Sequence, residues 1–288
     1  MAERRRRART GVVAALVAVV LALTGGGAAW AWWQATAEAV APPAVAAGTV
    51  DVQVAGLGNE LVGPGGTVPL PALSLTGAFP GSGDSEIVTV RNVSSRAVSV
   101  TATMTRTGTL TTAFTTIATF GGTDTGPACS GGSGAATTIA AGGTATLCLA
   151  VGLAATAPSG TQGQSGGVTT TLAATLPGTS WTDQGTITSG TVAAGTVPTT
   201  TLTCGTLGVL SVAFTWTEVP DATSYVLRYG SNGSQSVTVT GTSRTITSLV
   251  QVSGTASVVT QRAFGQVTWT SVPSNTRSYT VAAVSLCG

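Results

Sequence analysis

The stretch at residues 96–104 constrains this chain more than any other. Val98, Val100, Ala102 and Met104 alternate there with Ser99, Thr101 and Thr103. A period of two puts the apolar set on one face of a pleated strand and the hydroxyls on the other. Residues 85–93, around Ile87, Val88 and Val90, read the same way, as do residues 144–153 and 168–176. Threonine suits such positions because its branched β-carbon fits a half-exposed pleated surface. Glycine and proline punctuate the runs at residues 63–66, 80–84, 131–134 and 177–178. Many short strands between turn signals predict an all-β chain built from sandwiches or barrels. No amphipathic helix of useful length follows residue 40, and no internal repeat is visible.

At 288 residues the chain has room for two domains. Residues 187–200 (ITSGTVAAGTVPTT) carry no charge and no aromatic ring. They are the expected linker, giving segments 1–31, 32–186, 187–198 and 199–288.

The first thirty residues read as an export device. Arg4, Arg5, Arg6, Arg7 and Arg9 precede an uncharged apolar run at residues 11–24. Gly25, Gly26 and Gly27 then break the helix, and Ala29-Trp30-Ala31 offers small residues where a signal peptidase needs them. Cleavage is expected between Ala31 and Trp32. The alternative is an uncleaved anchor. Fourteen helical residues reach only about 21 Å, but extension to Ala31 reaches about 31 Å, enough to span a bilayer. Both readings place the rest of the chain outside the cytoplasm.

Four cysteines in an exported chain read as a disulfide framework. Of three possible pairings, Cys129 with Cys148 and Cys204 with Cys287 is the simplest, since each stays within one half. In the chain-entropy picture the first adds about 3 kcal/mol and the second about 4.5 kcal/mol. A four-cysteine metal site would want a C-x-x-C pair, and none is present.

Composition removes several chemistries. There is no histidine, hence no Ser-His-Asp triad, no Cys-His dyad and no His-ligated zinc. All 12 basic residues are arginine, and five lie in the first ten residues beside Glu3. The remainder carries seven arginines against nine acids, so no basic surface exists for nucleic acid. Asp84 and Glu86 form the tightest acid pair away from Glu218 and Asp221. Facing carboxylates serve glycoside hydrolysis or calcium binding, but a solvated turn is the simpler reading. No catalytic residue, cofactor or metal is expected. Asn92-Val93-Ser94 and Asn232-Gly233-Ser234 fit the glycosylation pattern, yet the N-terminus has a bacterial export style and no glycan is expected.

Specific segments carry a family resemblance. The glycine-ended apolar run, the cluster Trp30-Ala31-Trp32-Trp33 and the strand Ala47-Gly48-Thr49-Val50-Asp51-Val52 resemble the start of the TasA/camelysin family. Phe79-Pro80-Gly81-Ser82-Gly83-Asp84 resembles its P-G-D turn. Val88-Thr89-Val90-Arg91-Asn92 resembles its strand-then-Asn element, and Gln164-Ser165-Gly166-Gly167-Val168 its late turn. The resemblance spans about residues 11–180. It implies processing by a SipW-type peptidase, a jelly-roll-like sandwich, and assembly into extracellular matrix (biofilm) fibres by donation of an N-terminal strand. The donor here would be about residues 32–45, with Trp32, Trp33, Val40 and Val45 as candidate anchors; Pro42 and Pro43 cannot donate to a ladder. A metalloprotease activity attributed to camelysin does not carry over, since no H-E-x-x-H is present.

Residues 199–288 resemble a fibronectin type III/Ig-like module. Residues 210–216 read as its strand B, with Val212, Phe214 and Trp216 inward, and residues 221–229 as strand C. Residues 256–262 read as strand F and residues 278–286 as strand G. Trp269-Thr270-Ser271-Val272-Pro273-Ser274 resembles the segment before the last strand. The module's usual tyrosine at the start of strand F is replaced by Thr255, Ala256 and Ser257.

The expected protein is therefore secreted or at the cell surface, structural or adhesive, and not an enzyme. Its expected partners are copies of itself, in oligomers or fibres, or a wall or matrix polysaccharide. Trp181 and Trp269 are candidate sugar-stacking residues, although core or interface positions are commoner for a lone Trp. Membrane contact is expected only through an uncleaved N-terminus. No sorting signal follows residue 280, so covalent wall attachment is not indicated.

Overall fold

A computed structural model describes residues 50–55 and 65–288. The expected signal residues Ala29, Ala31 and Trp32, and the donor residues Trp32, Trp33, Val40 and Val45, lie outside the described residues.

The first sandwich comprises β1 (Val52–Ala55), β2 (Thr67–Leu70), β3 (Leu75–Ala78), β4 (Gly83–Asn92), β5 (Val98–Arg106), β6 (Phe114–Phe120), β7 (Thr123–Asp124), β8 (Cys129–Ser130), β9 (Ala136–Ile139), β10 (Thr144–Leu153), β11 (Ser165–Gly166), β12 (Val168–Thr175), β13 (Thr182–Ser189) and β14 (Val192–Ala194). One sheet has the order β1-β4-β10-β6 and the facing sheet β2-β13-β12-β5-β9. The long strands cross alternately from sheet to sheet, a jelly-roll-like path. A third, short sheet, β11-β14-β3, closes one side. Alternation fixes the inward faces. Val98, Val100 and Ala102 on β5 are buried, as are Leu147, Leu149, Val151 and Leu153 on β10. On β4, Val88 and Val90 point inward, whereas Ile87 is 42% exposed on the opposite face. Sliding any of these registers by one residue would turn the core face outward.

The expected linker at 187–198 is corrected by this arrangement. Ile187 lies inside β13, which pairs with β12 and, in parallel, with β2. β14 pairs with β3 in parallel and with β11 antiparallel. Ile187, Val192 and Val197 are buried in the first core. A run without charge or aromatics reads as a linker in sequence, yet small β-branched residues are also what closely packed strands require. The first sandwich therefore continues to about residue 197.

The second sandwich comprises β15 (Leu202–Gly208), β16 (Ser211–Trp216), β17 (Ser224–Tyr229), β18 (Gln235–Val239), β19 (Ser243–Thr247), β20 (Val252–Phe264), β21 (Val267–Thr270), β22 (Arg277–Val281) and β23 (Leu286–Cys287). Its sheets are β15-β16-β19 and β18-β17-β20-β22-β23, the latter extended by β21 against β20. Three strands facing a C′-C-F-G order is the fibronectin type III arrangement. Val212, Phe214 and Trp216 all point inward. Strand F is longer than expected: β20 runs through to Phe264, then turns at Gly265, whose φ of +58° only glycine adopts without strain, into β21.

Strand F carries no corner tyrosine, and tyrosines on β17 and β22 close other turns with their hydroxyls. The Tyr279 hydroxyl accepts the Gly230 N–H at 3.0 Å, and the Tyr225 hydroxyl accepts the Val219 N–H at 2.9 Å. Both rings are buried, so each phenol oxygen satisfies an amide that would otherwise be orphaned. The described residues belong to one compact unit.

Candidate functional site

The strongest constellation of side chains among the described residues lies where the two sandwiches meet, at the end of the β20–β21 hairpin. Trp269 on β21 is fully buried, and it belongs to the core of the first sandwich rather than its own. Its indole N–H donates to the Ala157 carbonyl at 2.9 Å, which removes the cost of burying that donor. Phe79, in the turn after β3, stacks on Phe264 at 5.0 Å and lies 5.7 Å from Trp269. The Arg262 guanidinium sits 4.2 Å above the Phe79 ring and 3.0 Å from Asp221. Cation–π and ion-pair contacts thus hold one cation to both sandwiches.

Gln162 completes the seam. Its amide nitrogen donates to the Thr270 carbonyl at 2.9 Å, and its oxygen accepts the Val197 N–H at 2.7 Å. The Ser159 hydroxyl accepts the Thr270 N–H. Such a seam of stacked aromatics and satisfied polar groups is a mechanical joint. The Asp221 carboxylate and the Ser159 hydroxyl within it are both engaged in holding the seam.

Trp269 is therefore not a sugar-stacking residue, because no face of its ring is accessible. Trp181 is different: it is 44% exposed. It precedes Thr182, which with Gly65, Ala173, Asp183 and Gln184 lines an open concavity of about 410 Å³.

Asp84 and Glu86 share one face at the start of β4, but Asp84 is already engaged, accepting the Ser74 N–H at 2.7 Å. Burial, with Asp124 and Asp84 nearby, pushes the Glu86 carboxyl above its ordinary range. Asp124 is held below its ordinary range by the Ser85 hydroxyl and the Gly126 N–H. Its role is to fasten the loop carrying β7 and β8 over β4. A Cβ at Gly83 would collide with the Pro127 carbonyl, so this close approach requires glycine. Among the described residues, no group of three His, Cys, Asp or Glu side chains is placed to hold a metal.

Asp51 and Asp183 form a second acid pair, unforeseen from sequence because 132 positions separate them. Asp183 is buried, accepting the Val52 N–H at 3.0 Å and the Gln184 N–H at 2.7 Å, and so ties β1 to the opposite sheet. One Asp51 carboxyl oxygen is buried without a hydrogen-bond partner. Burial, and then the Asp183 charge, raise the Asp51 carboxyl above its ordinary range.

Asn92 is wholly buried. Its amide donates to the Arg96, Ile139 and Ala140 carbonyls and accepts the Ser94 N–H. Every polar position is used to close a loop, which explains the asparagine and leaves no atom free for a glycan.

Cys129 is bonded to Cys148, with Cα atoms 5.9 Å apart, and Cys204 to Cys287, at 6.0 Å. The first bond pins the β7–β8 loop to β10. The second ties β15, which opens the second sandwich, to β23, which closes it.

No family model matches the sequence, and no curated protein matches it. Similar solved structures are of low score. The fibronectin domains FN1–FN3 of chicken CNTN1 are 14% identical with a TM-score of 0.28, covering 82% of this chain and 67% of that one. The YadV chaperone is 12% identical with a TM-score of 0.28, covering 75% and 95%. A PapD-like domain of human CEP192 is 9% identical with a TM-score of 0.27, covering 55% and 93%. The sheet orders given above carry the fold assignment by themselves.

Proposed function

We propose that this chain is an exported structural or adhesive protein of the cell exterior, acting by assembly and without catalysis. The observation that carries this reading is the joint. Trp269, Phe79, Phe264, Arg262 and Gln162 are spent on locking two sandwiches together rather than on forming a cleft. Two disulfides suit an oxidising exterior, and the signal-like N-terminus suits export. Assembly would proceed by strand donation. Residues 32–45 would pair with an edge of the first sandwich in a neighbouring copy, where β6 ends one sheet and β9 the other. The TasA/camelysin-like processing and a biofilm role belong to this proposal.

The test compares residues 32–288 with residues 44–288, disulfides intact, by size distribution and negative-stain imaging. The proposal expects filaments or assemblies larger than a dimer from the longer form alone. Identical size distributions from both would overturn strand donation.

A second reading rests on Trp181. Its exposed ring, one residue before Thr182 of the Asp183–Gln184 concavity, suits stacking on a sugar of a wall or matrix polysaccharide. Pull-down on such a glycan, lost in Trp181→Ala and kept in Arg228→Ala, would support it; equal retention of both variants would reject it.

A further inference from the structure

The end of the second sandwich remote from the joint carries the three most exposed large aliphatic side chains of the described residues and three more beside them, whereas Val272, 71% exposed, stands alone near the joint. Leu249 is 93% exposed, Val284 78%, Val209 76%, Val250 67%, Leu286 63% and Leu207 45%. They come from three segments that meet at this end: the β15–β16 turn, the β19–β20 loop and the chain between β22 and β23. Backbone hydrogen bonds bind the three together. The Leu210 N–H donates to the Ala282 carbonyl at 2.8 Å, and the Ser248 N–H donates to the Leu210 carbonyl at 3.1 Å. The Cys204–Cys287 bond also ties β15, which carries Leu207, to β23, which carries Leu286. The patch is therefore held in shape before any partner arrives, which lowers the ordering cost of binding.

Two further features are unusual for a turn left in water. Gly208 pairs with Ser211, so Val209 and Leu210 form a two-residue hairpin turn. Such turns ordinarily use Asn and Gly. Here Leu210 takes φ +55°, a strained region for its side chain, and Val209 stands at the apex. In addition, residues 207–210, 248–251 and 282–286 contain no charged side chain.

Taken together, the six residues, backbone included, expose on the order of 700 Å². That exceeds the roughly 300–600 Å² of the largest apolar patch on a typical monomer. It approaches the ~800 Å² per partner of a standard protein interface. An uncharged aliphatic patch suits a partner of the same kind, since like charges would not oppose each other across a two-fold axis.

We propose that this patch is a self-association surface, and that two copies of the chain join through it in an isologous, end-to-end dimer. β20 runs from this end to the joint, about 40 Å over its 13 residues. Dimerisation would therefore leave the first sandwich of each copy, with its edge strands, free for other contacts.

The test is sedimentation of the purified full chain, disulfides intact, across a concentration series. The wild type is expected to be a dimer. The triple variant V209S/L249S/V284S is expected to weaken dimerisation at least about a hundredfold. At concentrations where both are monomers its thermal midpoint should match the wild type's, because the substituted side chains are exposed in the monomer. Without any substitution, hydrogen exchange at residues 248–251 should slow as wild-type concentration rises. A wild type that stays monomeric, or a dimer that survives the triple substitution, would overturn the proposal. So would a wild-type monomer that floats with neutral phosphatidylcholine vesicles and loses flotation in the triple variant, since the occupant would then be a lipid surface.

Discussion

The two sandwiches solve the same packing problem with different materials. The first is filled almost wholly by aliphatic side chains, with Phe114 and Phe120 its buried native rings. The second packs rings on rings: Phe214 meets Tyr279 edge-on at 5.4 Å, and Trp216 lies 5.7 Å from Tyr225. The first bond, Cys129–Cys148, closes a local loop of sequence separation 19, whereas Cys204–Cys287 spans 83 and encloses most of its sandwich. The lesson lies in Trp269. The largest fully buried side chain of the described residues grows from the second sandwich and fills the first. The first core is therefore completed by its neighbour, while the aromatic second core is complete without it.

That asymmetry gives an ordered set of tests. Trp269→Ala removes a fully buried ring and leaves the Ala157 carbonyl without its partner. It should cost about 5 kcal/mol by denaturant unfolding, with the loss concentrated in the first sandwich. If only the second sandwich loosened, the comparison would be wrong. Replacing Cys204 and Cys287 by serine should cost about 4.5 kcal/mol, and replacing Cys129 and Cys148 about 3 kcal/mol. Midpoints of the two double variants measured side by side decide the order. Tyr279→Phe leaves the buried Gly230 N–H unpaired and should cost about 1–3 kcal/mol, with no effect on the first sandwich.

The smallest effect concerns pH. Asp51 holds its proton more tightly in the folded state than its ordinary value of 3.8 would allow. Its contribution is thus favourable in acid, and it is lost as pH rises through the raised folded value. Asp183 faces it from β13, and Arg91 on β4 lies opposite Gln53. Asp51→Asn should therefore gain stability relative to wild type on moving from about pH 4 to about pH 7. A mutant-minus-wild-type midpoint that falls over that range would contradict the account.

How much of this was legible in sequence depended on locality. The alternation at 98–104 gave β5 and its buried face directly, because strand period is a local property. Val212, Phe214 and Trp216 did the same for β16. Residues 187–198 misled because small residues serve both linkers and tightly packed strands, and their parallel pairing with β2 and β3 is a contact over more than a hundred residues. Trp269 reads from sequence as a core or interface residue more readily than as a sugar-stacking one, but that it fills the other sandwich's core was not legible, for the same reason. Its segment resembles the stretch before strand G of a fibronectin module, and nothing local says that the ring belongs to another core. One available signal was the alternation of Phe264, Val267 and Trp269 around Gly265, which marks a hairpin too long for its own sandwich. The Asp51–Asp183 and Phe79–Phe264 contacts left no such trace.

The claim that the first sandwich depends on the second is tested most directly by hydrogen exchange in increasing denaturant on the intact chain. Amides of Val151 and Leu153 report the first core, and those of Leu227 and Val258 the second. The account predicts that in wild type the first core never outlasts the second, and that Trp269→Ala releases Val151 and Leu153 at lower denaturant while Leu227 and Val258 keep their midpoint. Protection of the first core that is unchanged by Trp269→Ala would contradict it.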